Sequence, residues 1–507
     1  MCSATVRFPE THQAESLTDL LQTGLRNPAS SPEFDFHSAV NQVLADVGLT
    51  AKDSGGKLTF YGQDPIVPSS FKFGAMAAVG LAVRSVALAA LWKSRTGEAQ
   101  DIHVDVRKAL RRFCGFFEGK WETINGRGPL LLPRDNAFFE LPIFRETRDG
   151  RHIVALNIYP VLQARALNFL RCSSSSESIG NAILQWRAAE LESAAAEAGL
   201  VFGMVRTNEE LRNELQYTEV LSRMPLITLE KIGESEPVPL KRGAKSPLEG
   251  IRALGLGHVI AGAGIGRDLG YYGADVLNIW RPTDSDIEAF VWDVQVGMRS
   301  TLLDGSKEDR ATFDRLLKNA DVFFSNRRPG YLERYGLTAE ELSQKKPGLI
   351  HAKVVLHGEH GPWSNRVGFD EIGAAVSGLF SIEGSPTQPK SPPIIPICDN
   401  VVGWLGTAGV LEALRRRSIE GGSYRVVVSL TRTVLWLLSM GIFDKAYAQE
   451  TAGSKDEHAY VAPDVFTAET PLGTYQGFTD QVVLSRTPGA FRTVLVPRGS
   501  SKPEWLA

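Results

Sequence analysis

Hydrophobic positions run almost unbroken from residue 74 to 92, in a stretch rich in Ala, Gly, Val and Leu with Arg84 near its middle. An arginine halfway along a membrane span would be costly, and small residues suit close packing. The run therefore predicts a helix buried in a protein core. Lys93, Arg95 and Gly97 close it, as cations and a left-handed glycine close helices. An alternating strand follows over residues 101–106. The same order returns 324 residues later: an apolar helical run, then Arg415, Arg416 and Arg417, then Gly421 and an alternating strand. The chain thus carries an internal repeat of a long helix, a glycine turn and a strand.

The rest of the first half alternates more simply. Two strands, 143–147 and 152–156, flank Asp149-Gly150 and predict a hairpin. Residues 181–198 predict one helix stopped by Gly199, then a strand at 201–205 and a helix at 208–215. In the second half, residues 250–256 read as a strand, 257–266 as a glycine-rich turn, 267–272 as a helix and 274–280 as the next strand. Further strands are expected at 320–324 and 348–355. Strands alternating with helices imply a parallel sheet, whose ligands bind at the carboxyl ends of its strands.

Three polar stretches interrupt this pattern: the serine run 173–178, residues 234–247 with Pro237, Pro239 and Pro247, and residues 385–393. The second separates halves of similar size and sets an expected boundary near 245.

Composition narrows the function classes. A chain of 507 residues, 43% hydrophobic and 22% charged, is long enough for several globular units. The net charge of −3 leaves no overall basic excess, so neither nucleic acid nor a membrane surface is an expected partner. Cys2, Cys114, Cys172 and Cys398 are too scattered for a disulfide framework or a zinc ribbon. With no secretory pattern at the start and no common targeting signal at the end, a cytoplasmic location is expected. His103 lies in a strand without a second metal-type ligand nearby, so no metal site is expected.

The glycine-rich turn invites a dinucleotide reading. Gly262-Ala263-Gly264-Ile265-Gly266-Arg267 nearly spells the fingerprint, but Arg267 occupies the third glycine's slot. The acidic residue expected about 20 residues on is replaced by Arg281. A base at that strand end suits phosphate better than a ribose diol, so nucleotide-type binding is retained and redox chemistry set aside.

Pro247-Leu248-Glu249-Gly250-Ile251-Arg252 followed by His258-Val259-Ile260-Ala261-Gly262 resembles the opening of the family III coenzyme A transferases. The likeness continues in order through residues 273–282, Arg299-Ser300 with Asp304, and residues 320–337. It then takes in Gly361-Pro362, Gly368-Phe369-Asp370 and Pro396-Ile397-Cys398-Asp399-Asn400. It covers 246 to about 440 well, and roughly 70–230 looks like a second, rearranged partial copy.

The resemblance implies an α/β fold: a Rossmann-like parallel sheet domain of the family III CoA-transferase type over 246–507, plus a related α/β half over 1–245. It implies transfer of coenzyme A from an acyl-CoA to a small carboxylic acid, with no permanently bound cofactor. The family forms interlocked homodimers, so the resemblance leaves two arrangements open: such a homodimer, or one chain whose duplicated half mimics part of it alone. Asp399 would be the nucleophile. A carboxylate suits the task, because its acyl adduct is an anhydride, its coenzyme A adduct is a thioester, and each step can reverse. Subtracting the repeat offset from 399 gives Ala75, so one catalytic centre per chain is expected, with the first half lacking the nucleophile.

Val259 and Ile260 would flank the adenine, and Arg281, Asn326, Arg327 and Arg334 would contact coenzyme A, the arginines through phosphate. Arg327 stands where the family usually has an aromatic residue, and Trp280 where it has an acid. Phe369 replaces the histidine that the family's racemases use, which disfavours that chemistry, and Asp370 is expected to be a structural acceptor. The alternatives are an acyl-CoA racemase or isomerase using other residues, and a catalytically silent acyl-CoA-binding protein.

Overall fold

The computed structural model describes residues 16–113, 115–130, 136–138 and 143–506. Cys2 and Cys114, and the extreme ends of the chain, lie outside them.

In the first half, β1 (Gly55–Tyr61) and β2 (Gln100–Asp105) pair in parallel, and α1 (Phe73–Thr96) connects them. The expected hairpin forms as β3 (Phe144–Glu146) and β4 (His152–Ala155), and β5 (Phe202–Met204) adds antiparallel to β4. The single helix expected over 181–198 is instead two, Ser176–Ile183 and Ala188–Glu197. Ser175, taken for linker, caps the first of them by accepting from the Ser178 N–H.

The second half builds one sheet. Its strands are β6 (Thr228–Gly233), β7 (Arg252–Leu256), β8 (Asp275–Trp280), β9 (Arg299–Leu302), β10 (Val322–Ser325), β11 (Ile350–Val355) and β12 (Ser423–Ser429). They lie in the order β9-β8-β7-β10-β11-β12-β6, parallel except for β6. The chain winds outward from β7 to β9, then returns to start again at β10 on the other side. The reversal between β7 and β10 leaves a crevice at their carboxyl ends, the place where such sheets bind ligands.

The helix after β7 begins earlier than its glycines suggest. Ala261–Tyr271 is all helix, here α2, so the turn is confined to 257–260. The glycines serve packing. A Cβ on Gly262 would sit 2.3 Å from the Asn326 side chain, and one on Gly403 would sit 3.3 Å from the Gly264 Cα.

Two further helices complete the site: α3 (Asp370–Ser377) and α4 (Asp399–Glu420), the repeat-related partner of α1. α1 and α4 pack together, with Gly80 against Val401 and Trp404. Arg84, the one charge inside α1's apolar run, is fully buried and meets Asp268 at 3.2 Å and Asp480 at 2.5 Å. That ion triad explains how a helix apolar enough to cross a membrane carries an arginine, and the whole of its apolar window is buried inside the protein.

The halves share strands across residue 245. β6, from the first half, closes the second-half sheet, and Val482–Leu484 pairs with β2.

Candidate active site

The segment entering α4 turns back into the protein interior, so its backbone N–H groups need an acceptor there. Asp370, fully buried in the first turn of α3, supplies it. Its Oδ2 accepts from the N–H of Ile397 at 2.6 Å, of Cys398 at 2.7 Å and of Asp399 at 3.2 Å. Asp370 is thus the structural acceptor the sequence suggested.

Asp399 is the first residue of α4, and Cys398 is its N-cap without a side-chain cap bond. The aspartate therefore does not spend its carboxylate on capping its own helix. It is 6% exposed and lines a cavity of about 590 Å³. Burial pushes its pKa well above the usual carboxylate range, and the negative charge of Asp370 pushes the same way.

The cavity opens at the carboxyl ends of β7, β10 and β11. Val259, Asn326, Arg327 and Asp399 all line it. Asn326 holds the turn after β7, accepting the His258 N–H at 3.0 Å and donating to the His258 carbonyl at 2.8 Å. Val259 sits at φ +55°, a left-handed conformation that β-branched residues rarely adopt. Its N–H donates to Asp286 Oδ2 at 3.0 Å, which holds it there.

The other expected contacts fall elsewhere. Ile260 is buried in the core at 2% exposure, and Arg334 is exposed over the ring of Tyr335. Neither lines the cavity. Arg281 lies outside it too, clamped on Asp284 at 2.8 Å through Nε and 2.5 Å through Nη2. Arg327 meets the same carboxylate at 2.8 Å, and both guanidinium groups stand over the Tyr331 ring. Their hydrogen bonds and charges hold Asp284 well below the usual carboxylate range against its burial. His258, buried beside Arg327, has its pKa lowered well below the ordinary histidine value and is neutral.

Several site residues escaped the sequence reading. Asp284 was accessible in principle, since an acid three residues after Arg281 is a natural counter-ion. Tyr159 was not. It comes from the first half, lines the cavity, and donates its hydroxyl to Asp286 Oδ1 at 2.7 Å, across 127 positions of chain. Arg366 lines the cavity and meets Glu192 at 3.0 Å, and Glu192 also holds Arg206 at 2.6 Å. Among the described residues, no group of three or more His, Cys, Asp or Glu side chains is arranged to hold a metal ion.

A buried carboxylate with raised proton affinity, at a helix N-terminus facing a cavity, can act as a nucleophile once ionised. Residues 248–477 match the model of CoA-transferase family III. The succinyl-CoA–L-malate CoA-transferase alpha subunit of Chloroflexus aurantiacus is 30% identical over 287 residues, covering 50% of this chain and 63% of that protein. An acetyl-coenzyme A transferase of Hypoxylon pulicicidum is 32% identical over 209 residues, covering 40% and 35%. A solved CAIB/BAIF family protein from Brucella suis is 26% identical, with a TM-score of 0.35, covering 38% of this chain and 56% of that one. The chain spans about half the length of the curated relatives it matches.

Proposed function

From residues 248–477, the segment that carries the CoA-transferase family III match, we propose that this chain moves coenzyme A from an acyl-CoA to a carboxylic acid through adducts on Asp399. The observation that carries the reading is the position of that carboxylate. It is the first residue of a buried helix and faces a cavity at the sheet's reversal point.

The steps balance without an outside reactant. The Asp399 carboxylate attacks the thioester carbonyl and expels coenzyme A thiolate, leaving an aspartyl–acyl anhydride. The thiolate attacks the aspartyl carbonyl and releases the donor acid, leaving an aspartyl thioester. The acceptor carboxylate then attacks that thioester and expels the thiolate again. The thiolate takes the acceptor acyl group, forming the new acyl-CoA and freeing Asp399. Val259, Asn326 and Arg327 line the path for coenzyme A. Ile260, Arg281 and Arg334 act, on this reading, from behind the lining or at its edge.

The first half, up to about residue 245, reads as a degenerate copy. Ala75 sits in the first turn of α1, and Asp64 accepts the Gly74 N–H at 3.1 Å and the Ala75 N–H at 2.7 Å. Asp370 makes the same kind of contact to the segment bearing Asp399. The framework recurs while the nucleophile does not.

The test is incubation with acyl-CoA and hydroxylamine followed by peptide mass spectrometry. A modified Asp399 supports the reading. An unmodified chain that still binds acyl-CoA points to a silent binder, and solvent label entering the α-carbon points to racemisation.

A further inference from the structure

A second cavity lies away from Asp399. It measures about 240 Å³ and is lined from the helices Leu17–Arg26, Phe36–Ala45 and Leu430–Ser439. Among the described residues, none lines both cavities. Part of its wall is apolar, with Leu17, Leu20, Leu226 and Trp436. Two groups of opposite charge, Arg432 and Asp46, line it as well.

Each of these charges is only half used by the protein. Arg432 is 4% exposed and donates through Nε to the Met224 carbonyl at 2.8 Å, while its Nη1 is buried with no hydrogen-bond partner. A buried guanidinium nitrogen in that position costs stability, which an acceptor beside it would recover. Asp46 accepts the N–H of Leu226 at 2.7 Å and of Ile227 at 3.1 Å, both through Oδ2, so Oδ1 is left for another donor. The two side chains act on each other through charge, but no hydrogen bond joins them. Burial raises the Asp46 pKa from 3.8 to about 6, so the carboxyl is ionised above that pH. The other charges nearby are engaged. Asp35, at the exposed rim, caps the helix Phe36–Ala45 by accepting the Ser38 N–H at 3.0 Å. Lys72, outside the lining, donates to the Met440 carbonyl at 3.0 Å.

We infer that this second cavity binds a small α-amino acid with an apolar side chain, its carboxylate on the Arg432 guanidinium, its ammonium on Asp46 and its side chain against Leu17, Leu226 and Trp436. The site stands apart from the transferase reading and does not depend on it. A carboxylate suits the planar fork of an arginine. A simple anion would satisfy Arg432 but lie beside the like charge of Asp46, and a simple cation would satisfy Asp46 but leave the guanidinium unpaired. A zwitterion meets both at once. An apolar wall with a few placed polar groups is the usual make-up of a small-molecule site.

Calorimetric titration of the full chain at about pH 8, where Asp46 is ionised, decides it. The probes are L-leucine, isocaproate, which lacks the ammonium group, and isopentylamine, which lacks the carboxylate. L-leucine is expected to bind at least about tenfold more tightly than either analogue. Asp46→Asn keeps an acceptor for the two N–H groups and removes the charge. It should weaken L-leucine by at least about tenfold and leave isocaproate unweakened. Arg432→Gln should weaken L-leucine as much and leave isopentylamine unweakened. If circular dichroism shows that Arg432→Gln does not fold, Gln42→Trp takes its place. Gln42 is an exposed lining residue, and the indole should fill the cavity and abolish binding. Absence of L-leucine binding, an analogue that binds as tightly, or an Asp46→Asn variant with unchanged L-leucine affinity overturns the inference.

Discussion

Asp370 Oδ2 accepts the backbone N–H of Asp399 at 3.2 Å, so the carboxylate that shapes the segment before Asp399 also adds to the rise that burial gives the Asp399 pKa. Orientation and electrostatics come from one side chain here, and they pull in opposite directions. The three N–H bonds fix the segment, while the nearby negative charge favours the protonated, unreactive form of Asp399.

Asp399→Asn removes the proposed nucleophile while keeping shape and size. Exchange between thioester and free acid should fall on the order of a thousandfold or more. Acyl-CoA binding should change little. Radiolabel exchange and isothermal calorimetry measure the two effects.

In the proposed transfer, attack on the thioester needs Asp399 ionised. Because its pKa is raised by burial and then by Asp370, the rate should climb with pH across a limb displaced above the ordinary aspartate range. Asp370→Asn removes the neighbouring charge, so the limb should move to lower pH. The same variant weakens the grip on the 397–399 segment, for about 1–3 kcal/mol of stability. A pH–rate profile of both proteins and a urea titration test the pair of effects, and an unmoved limb would refute the coupling.

Glu192 holds Arg206 and Arg366 while 2% exposed, and those arginines bring its pKa down to about 2 from 4.5 despite burial. A lowered carboxylate pKa adds stability that is complete above pH 4.5 and fades as pH falls toward 2. The linked contribution is about 3 kcal/mol. Glu192→Gln should cost about 3–5 kcal/mol at neutral pH, since the half-buried Arg366 loses its counter-ion and the buried Arg206 is left with Glu214 alone. It should also flatten the acid-side loss, which denaturant melts at stepped pH would show.

Arg84→Met strands Asp268 and Asp480 in the interior without their cation. A loss of about 3–5 kcal/mol is expected. Replacing Asp480 by Asn in the same protein should recover part of it, and thermal melts of the single and double variants check this.

Gly262→Ala drives a methyl group into Asn326, whose side chain lies 2.3 Å from the added Cβ position. Asn326 would have to release the His258 backbone, and with it the turn that presents Val259. Acyl-CoA affinity should fall by roughly tenfold with turnover of bound substrate less affected. A KM increase without a matching fall in kcat is the expected signature.

Much of the fold could be read from local pattern. The buried run at 74–92, the basic residues and glycine that end it, and the strand that follows are set by neighbours in the chain. The Asp149-Gly150 hairpin was legible for the same reason, because turn conformation is a property of a few adjacent residues. Local pattern misled where packing intervened. The glycines of 262–266 look like a turn in isolation, yet they are helical because α2 must approach Asn326 and α4 closely. A boundary between halves near 245 had a clear composition signal, but strands pair across it, and pairing partners far apart in sequence leave no local mark.

For this protein, the amino-acid order alone determined the alternation of strands and helices, the repeat of long helix and strand, and the placement of one aspartate at the start of the second long helix. Only the tertiary structure decided which groups surround that aspartate. Tyr159 and Asp286 meet across 127 positions, and Arg84 reaches Asp480 across 396. Periodicity and capping arise between residues a few positions apart, where covalent geometry limits the options. The cavity wall and its charge balance arise from contacts that exist only once the whole chain has packed.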